Sequence, residues 1–202
     1  MSAAKIDIAV IDSGGANIAS VMFALNRLGR KGVLTSDPDQ IEKAPHVILP
    51  GVGAAADAMN TLRKRDGLID CIHNLKQPVL GICLGMQLLY DYSEEGNTDL
   101  LGAINGEVKH FQKQYDLTVP HMGWNKLIGL SEHALLNNLD DAPYFYFVHS
   151  YKAPISKHTI AGCEYGQNFT AIVARNNFMG CQFHPERSGK AGAQILENFL
   201  KL

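Results

Sequence analysis

Gly81-Ile82-Cys83-Leu84-Gly85 sets one cysteine between two glycines, after an apolar Pro78-Val79-Leu80 and before Met86-Gln87-Leu88-Leu89-Tyr90. Strand, Gly-x-Cys-x-Gly, helix is the nucleophile-elbow arrangement with cysteine in place of serine. The glycines permit a turn too sharp and too crowded for Cβ atoms. A thiol at this position is expected to sit exposed at the first turn of a helix, where the dipole favours thiolate over thiol. Outside the strand-to-helix context, a cysteine between two loop glycines would be read as a buried packing residue.

A cysteine nucleophile needs a base, and the base needs an orienting group. His184-Pro185-Glu186 offers both. Pro185 pushes His184 toward an extended conformation, in which residues i and i+2 share a side, so Glu186 is expected beside the imidazole. Acyl transfer also requires donors for the tetrahedral oxyanion, each worth about 3–4 kcal/mol where tested. The Leu84 N–H, directly after the nucleophile, is the first expected donor. Val52 is the second, because Gly51 and Gly53 on either side allow a peptide plane to rotate. A loop free to turn leaves the hole unformed until something binds.

These residues need a frame. Residues 6–11 read as a strand, and Ile18, Val21, Met22, Leu25 and Leu28 give residues 17–28 a helical face. Short strands follow at 32–35 and 46–49, with a helix possible between them. Residues 54–75 read as one helix, and 78–82 as the strand that delivers Cys83. Strands alternating with helices imply an open, mostly parallel α/β sheet with right-handed crossovers. After Gly96 the pattern changes to short alternating runs with glycines, read as β-ribbons and loops. A helix is placed near 131–138, with Ser131 as its cap. Strands return at 144–148, 159–165, 170–175 and 178–183, and a helix closes the chain at 191–202. Reactive groups in such sheets gather outside the carboxyl ends of the strands. Pro50-Gly51-Val52-Gly53, Cys83 and His184 all fall at such ends.

Composition bounds the rest. With 202 residues, 46% hydrophobic and 19% charged, the chain fits one domain, 1–202, with no linker or repeat. A formal net charge of −2 gives no electrostatic case for nucleic acid. Met1-Ser2-Ala3-Ala4-Lys5 lacks the apolar length and cleavage site of a secretory signal, and no run approaches the ~18 apolar residues of a membrane span. A cytoplasmic protein without membrane contact is expected. Cys71, Cys83, Cys163 and Cys181 lack metal-ligand spacing, so neither a metal site nor a disulfide framework is indicated.

Taken together, Pro50-Gly51-Val52-Gly53, Gly81 to Gln87 and Gln182-Phe183-His184-Pro185-Glu186 resemble a class I, triad-type glutamine amidotransferase, a family with a flavodoxin-like fold. Roughly a hundred residues between Cys83 and His184 fit as well. Pro120-His121-Met122-Gly123-Trp124-Asn125, Phe147-Val148-His149-Ser150-Tyr151 and Met86 before Gln87 are similar to the glutaminase subunits of imidazole glycerol phosphate synthase. The likeness covers nearly the whole chain. It implies hydrolysis of L-glutamine to glutamate and ammonia through a γ-glutamyl thioester on Cys83, with His184 and Glu186 completing the triad and no cofactor. It implies a heterodimer with a (βα)₈-barrel cyclase subunit that receives the ammonia in histidine biosynthesis. Gly51, Gly53, Gln87, Glu95, His149, Ser150 and Tyr151 would line the glutamine pocket, and Asn17, His121, Trp124 and Arg187 would lie toward the partner.

The chain departs from that pattern in places. The family usually has Tyr-Gly-x-Gly-Asn after the first strand, often with Arg beyond it. Here Ser13, Ala16 and Ala19 replace Tyr, Gly and Arg, while Asn17 is kept. This loop is expected to face the partner, so the substitutions bear on docking. Arg187 stands where Lys is common after His-Pro-Glu. The Pro-His-Met-Gly-Trp-Asn and Val-His-Ser-Tyr segments argue against the glutaminases of pyridoxal phosphate synthase and anthranilate synthase. A paralogue that supplies ammonia to surface-sugar amination stays open. A catalytically idle regulatory subunit is the alternative from another class, and the complete triad argues against it.

Overall fold

A computed structural model describes residues 6–14, 17–112 and 117–202. Gly15 and Ala16, within the loop that departs from the family pattern, lie outside the described residues, as do Met1 to Lys5.

The first half alternates as its periodicity predicts. Strand β1 (Ile8–Ile11) leads to helix α1 (Ile18–Arg27), β2 (Gly32–Thr35), α2 (Pro38–Lys43) and β3 (His46–Leu49). Next come α3 (Ala55–Arg63), α4 (Leu68–Asn74), β4 (Val79–Ile82) and the one-turn helix α5 (Leu84–Gln87). The expected helix over 54–75 is therefore two helices. Gly67, at φ 71°, sits in the left-handed region just before α4, and no helix propagates through that conformation.

Short strands β5 (Tyr92–Ser93), β6 (Thr98–Asp99) and β7 (Glu107–His110) precede the ribbon of β8 (His121–Lys126) and β9 (Tyr144–His149). The chain then forms β10 (Tyr151–Lys152), β11 (Thr159–Tyr165), β12 (Gln167–Arg175), β13 (Phe178–Cys181) and α6 (Gly189–Phe199). Near 131–138 there is only a 3₁₀ turn, Ala134–Leu136, and His133 caps it by accepting from the Leu135 N–H at 3.1 Å. Ser131, the expected cap, instead spends its N–H on the Ile160 carbonyl.

Among the described residues the main sheet has seven strands in the order β11-β12-β13-β4-β3-β1-β2. From β13 to β2 all neighbours are parallel, while β11 and β12 add an antiparallel edge. The run β2-β1-β3-β4-β13 follows the flavodoxin-like order, so this is an α/β fold with a mostly parallel sheet flanked by helices and supplementary antiparallel strands.

Alternation along the strands feeds two cores. Ile8, Val10, Ile48, Leu80 and Ile82 pack with Leu25 of α1 and with Ile195 and Phe199 of α6. Ala9, Ile11, Val47, Leu49 and Val79 pack on the other side with Ile41, Met59, Leu62 and Ile72. Period-two side-chain placement on strands covered by helices on both faces produces this division. Apart from the half-buried His46, β3 and β4 are buried along their length, so the turns leaving them are held firmly at one edge of the sheet.

Candidate active site

Cys83 leaves β4 at φ 53° and ψ −110°, a conformation that a non-glycine residue adopts only under local constraint, at a cost of about 1–3 kcal/mol. Its N–H donates to the Cys181 carbonyl at 2.8 Å, and its carbonyl accepts from the N–H groups of Met86 and Gln87. The neighbouring glycines are required by space. A Cβ on Gly85 would stand 1.8 Å from the Leu49 carbonyl oxygen, and one on Gly81 would stand 2.5 Å from the Gly85 oxygen. One expectation needs correction. The thiol is 7% exposed, because α5 is a single turn roofed by other elements, and it reaches solvent only through a cavity.

His184 follows the end of β13 by three residues, with Pro185 holding it extended at φ −98° and ψ 96°. Its N–H donates to the Tyr146 carbonyl and its carbonyl accepts from the Ser188 hydroxyl, so the backbone is tied on both sides. Nδ1 lies 2.8 Å from Glu186 Oε1, with both side chains almost wholly buried. Glu186 reaches the ring through the 3₁₀ turn Pro185–Arg187, not through the extended i, i+2 alternation expected from sequence.

Asn17 Nδ2 donates to the same Glu186 oxygen at 2.6 Å, and Arg187 donates to Asn17 Oδ1 at 3.3 Å. Burial pushes the His184 imidazole down. The Cys83 and Glu186 side chains outweigh it and hold the ring up at about 10. Nε2, the nitrogen left after Glu186 takes Nδ1, has no hydrogen-bond partner among the described residues. Cys83 and His184 line one cavity, of about 320 Å³.

Val52 lines that cavity too, on a loop pressed against the elbow: a Cβ on Gly51 would lie 2.9 Å from the Gly85 nitrogen. Gly53, at φ 96°, has no atom within 4 Å of where its Cβ would stand. Neither the Val52 nor the Leu84 N–H is taken by a hydrogen bond among the described residues.

The remaining lining groups include Gln87, Glu95, His149, Ser150 and Tyr151, all expected there. Glu95 Oε2 accepts from the Ala55 N–H at 2.9 Å, which caps α3. Burial raises its carboxyl, this bond opposes the rise, and Asp57 adds to it. His149 is boxed in: Nδ1 lies 2.7 Å from the Tyr151 carbonyl and Nε2 lies 3.0 Å from His121 Nδ1. Burial is the main cause that pushes it down to about 3; the bond to the Tyr151 carbonyl opposes this, and His121 and His184 add smaller downward pushes.

Such an arrangement can carry out nucleophilic acyl transfer: a thiol, an imidazole oriented by a carboxylate, and two free N–H groups around one cavity. The chain matches the family "Glutamine amidotransferase class-I" over residues 9–202. It is 49% identical over 196 residues to the imidazole glycerol phosphate synthase subunit HisH of Xanthomonas campestris pv. campestris (strain 8004), covering 97% of this chain and 98% of that one. The HisH of Pasteurella multocida (strain Pm70) is 50% identical, covering 96% and 98%. The chain belongs to the HisH family of class-I glutamine amidotransferases.

Solved structures agree on the fold. PurLQS from Thermotoga maritima superposes with a TM-score of 0.73 at 18% identity, covering 98% of this chain and 99% of that one. A putative GMP synthase component from Thermoplasma acidophilum gives 0.75 at 17%, covering 98% and 94%.

Against the HisH pattern, one residue expected at the partner face is misplaced. His121 is 2% exposed, stacked between Tyr165 and Phe147. Alternation on β8 explains this: His121 points inward, while Met122 and Trp124 are 62% and 56% exposed. Ser13 also turns inward, donating its hydroxyl to the Pro50 carbonyl at 2.7 Å and bracing the loop that carries Val52. Arg187 is exposed and Asn17 half-buried. Sequence reasoning assigned nothing to Gln182, which is fully buried beside the thiol. The only signal was its place two residues before His184.

Proposed function

We propose that this HisH-family chain, read as one glutaminase domain, hydrolyses L-glutamine with Cys83 as nucleophile, His184 as proton carrier and Glu186 as its orienting carboxylate. The observation that carries this reading is the buried Nδ1–Oε1 contact of 2.8 Å, which leaves Nε2 for the cavity that Cys83 also lines.

The thiol proton passes to His184, and the sulfur attacks the side-chain amide carbon of glutamine. The N–H groups of Leu84 and Val52 receive the oxyanion. As the C–N bond breaks, His184 returns its proton to the leaving nitrogen, giving ammonia and a γ-glutamyl thioester on Cys83. Water then adds to the thioester while His184 takes one of its protons. Collapse expels the sulfur, which recovers the proton, and glutamate leaves. An imidazole held at about 10 beside Cys83 and Glu186 suits the acid step, since it keeps the proton taken from the thiol until a developing amine draws it away. Glu95, Gln87, Ser150 and Tyr151 bound the cavity in which glutamine would lie, with the Glu95 carboxylate facing the α-ammonium.

The chain acts in histidine biosynthesis as the glutaminase subunit of imidazole glycerol phosphate synthase. The ammonia is delivered to a (βα)₈-barrel cyclase subunit in a heterodimer. Met122 and Trp124, exposed on β8, and Tyr144 on β9 supply an apolar face for that contact. Arg187 donates to Asn17 and Asn17 to Glu186, so a partner contact at either residue would reach the triad.

Glutamate release tests the assignment, measured for the isolated chain and for its complex with the cyclase partner carrying a substrate analogue. Cys83→Ala is expected to abolish it, and unchanged turnover would reject the nucleophile. Full activity of the isolated chain would reject the need for a partner to complete the oxyanion hole.

A further inference from the structure

Two polar groups flank the Cys83 sulfur from within the protein. The Val148 carbonyl lies 3.9 Å away and can only accept, so it favours the thiol. Gln182 Nε2 lies 3.8 Å away on the other contact and can only donate, so it favours the thiolate. If the Gln182 amide were turned over, two carbonyl oxygens would face the sulfur.

The orientation of this amide follows from its neighbours. The Tyr151 carbonyl is an obligate acceptor, and Gln87 lies 3.0 Å from it, so Gln87 must present its NH₂ there. The second hydrogen on that nitrogen points to Gln182, 2.9 Å away, and fixes the Gln182 oxygen on the Gln87 side. The NH₂ of Gln182 is left for the sulfur. The Gln182 backbone cannot drift, because its N–H donates to the Ala171 carbonyl at 2.8 Å. The Tyr151 carbonyl is held from behind by His149, itself held by His121. The His149 ring and one Gln87 hydrogen thus end on the Tyr151 carbonyl, the other Gln87 hydrogen ends on Gln182, and the Gln182 amide hydrogen ends at Cys83.

We propose that Gln182 is a further catalytic residue, whose side-chain amide donates a hydrogen bond to the Cys83 sulfur and holds it as thiolate, in an orientation imposed by Gln87 and the Tyr151 carbonyl. The proposal rests on Cys83 being the nucleophile. Hydrogen bonds to an ionised acceptor are the stronger kind, so this one strengthens as the sulfur ionises. It weakens once the C–S bond to the acyl group forms and strengthens again as the sulfur departs. The titratable groups around the sulfur are His184, with Glu186 behind it, His149, Glu95 and Tyr151 on the cavity wall, and Cys181 on β13. A change at Gln182 leaves all of them in place.

The test is alkylation of Cys83 by iodoacetamide in the full chain, followed peptide by peptide as a function of pH. Burial raises the thiols of Cys71 and Cys163 to about 11 and about 12 and that of Cys181 well above its ordinary value, and the peptide map separates all three from Cys83. Gln182→Met keeps the length of the side chain and removes the donor. Its rate at pH 7 is expected to fall about tenfold, the scale of one hydrogen bond to a charged group, and to rejoin the wild type at high pH. Equal rates at pH 7 in a folded variant would overturn the proposal, as would a loss that persists at every pH.

A second measurement needs no change at Gln182. In the wild type, one Gln182 amide proton is expected to move downfield in the NMR spectrum as Cys83 ionises, and to stay still in Cys83→Ser. No movement in the wild type would overturn the proposal. Both readouts report on the sulfur without turnover. Glutamate release surviving in Cys83→Ala would instead reject the nucleophile itself.

Discussion

The elbow at Cys83 and the loop at Val52 face each other across one cavity, yet they are built oppositely. At the elbow, Cβ atoms on Gly81, Gly85 and Gly180 would each meet another atom at 2.6 Å or less. At the loop, Gly51 is packed against the elbow, whereas Gly53 is exposed and has open space around it. The first arrangement fixes a strained nucleophile by close packing, and the second leaves a peptide plane room to turn. The proposed site thus pairs a part fixed by close packing with a part that has space in which to turn.

The largest effect is expected from filling the rigid side. In Gly85→Ala a new methyl would stand 1.8 Å from the Leu49 oxygen, backbone against backbone, with no flexible side chain to give way. A loss of about 3 kcal/mol or more is expected in denaturant unfolding. Survival with native stability would show that the elbow is not held by packing.

Next in size is Glu186→Gln, which keeps the shape and removes the charge that holds the His184 imidazole. Its glutamate release in the assembled enzyme is expected to fall by roughly a hundredfold or more. The same interaction has a pH signature. An imidazole raised to about 10 from 6.5 contributes stability that is fully present below pH 6.5 and lost as the pH rises through 10. Cys83 raises the ring as well, so the variant should lose part of that alkaline limb in thermal unfolding measured against pH.

On the acid side the sign is reversed. His121 and His149, lowered to about 4 and about 3 chiefly by burial, resist protonation in the fold, so stability falls as the pH drops from 6.5 toward 4. His121→Phe is expected to reduce that fall.

Smaller effects belong to the mobile side. Gly53→Ala meets no atom but forces alanine to φ 96°, and a cost of about 1 kcal/mol is expected. Its partner-stimulated rate should fall further than its stability does. Ser13→Ala removes the hydroxyl that braces the Pro50 carbonyl and is expected to cost about 1 kcal/mol, while altering the ratio of stimulated to basal activity. A loop that merely packs would show the stability loss with no change in that ratio.

The same contrast governs what was legible in the sequence. The parallel sheet and the placement of Cys83 and His184 followed from periodicity and turn chemistry, because strands buried on both faces and glycine-flanked turns leave local marks. The break at Gly67 was missed because apolar residues continue at helical spacing on both sides of it. The inward turn of Ser13, the burial of His121 and the contact of Gln182 with the thiol join residues far apart in the chain. No local pattern encodes them. The approach of Glu186 to His184 was anticipated for an incomplete reason, since the 3₁₀ turn after Pro185 delivers it.

The division between fixed nucleophile and turning loop is tested most directly by two electrophiles on Cys83. A chloroketone analogue of glutamine builds an oxyanion as it reacts, whereas iodoacetamide does not. Addition of the cyclase subunit with its substrate analogue is predicted to accelerate labelling of Cys83 by the chloroketone and to leave the iodoacetamide rate unchanged. Equal acceleration of both reagents would place the switch at the thiol itself and contradict the account.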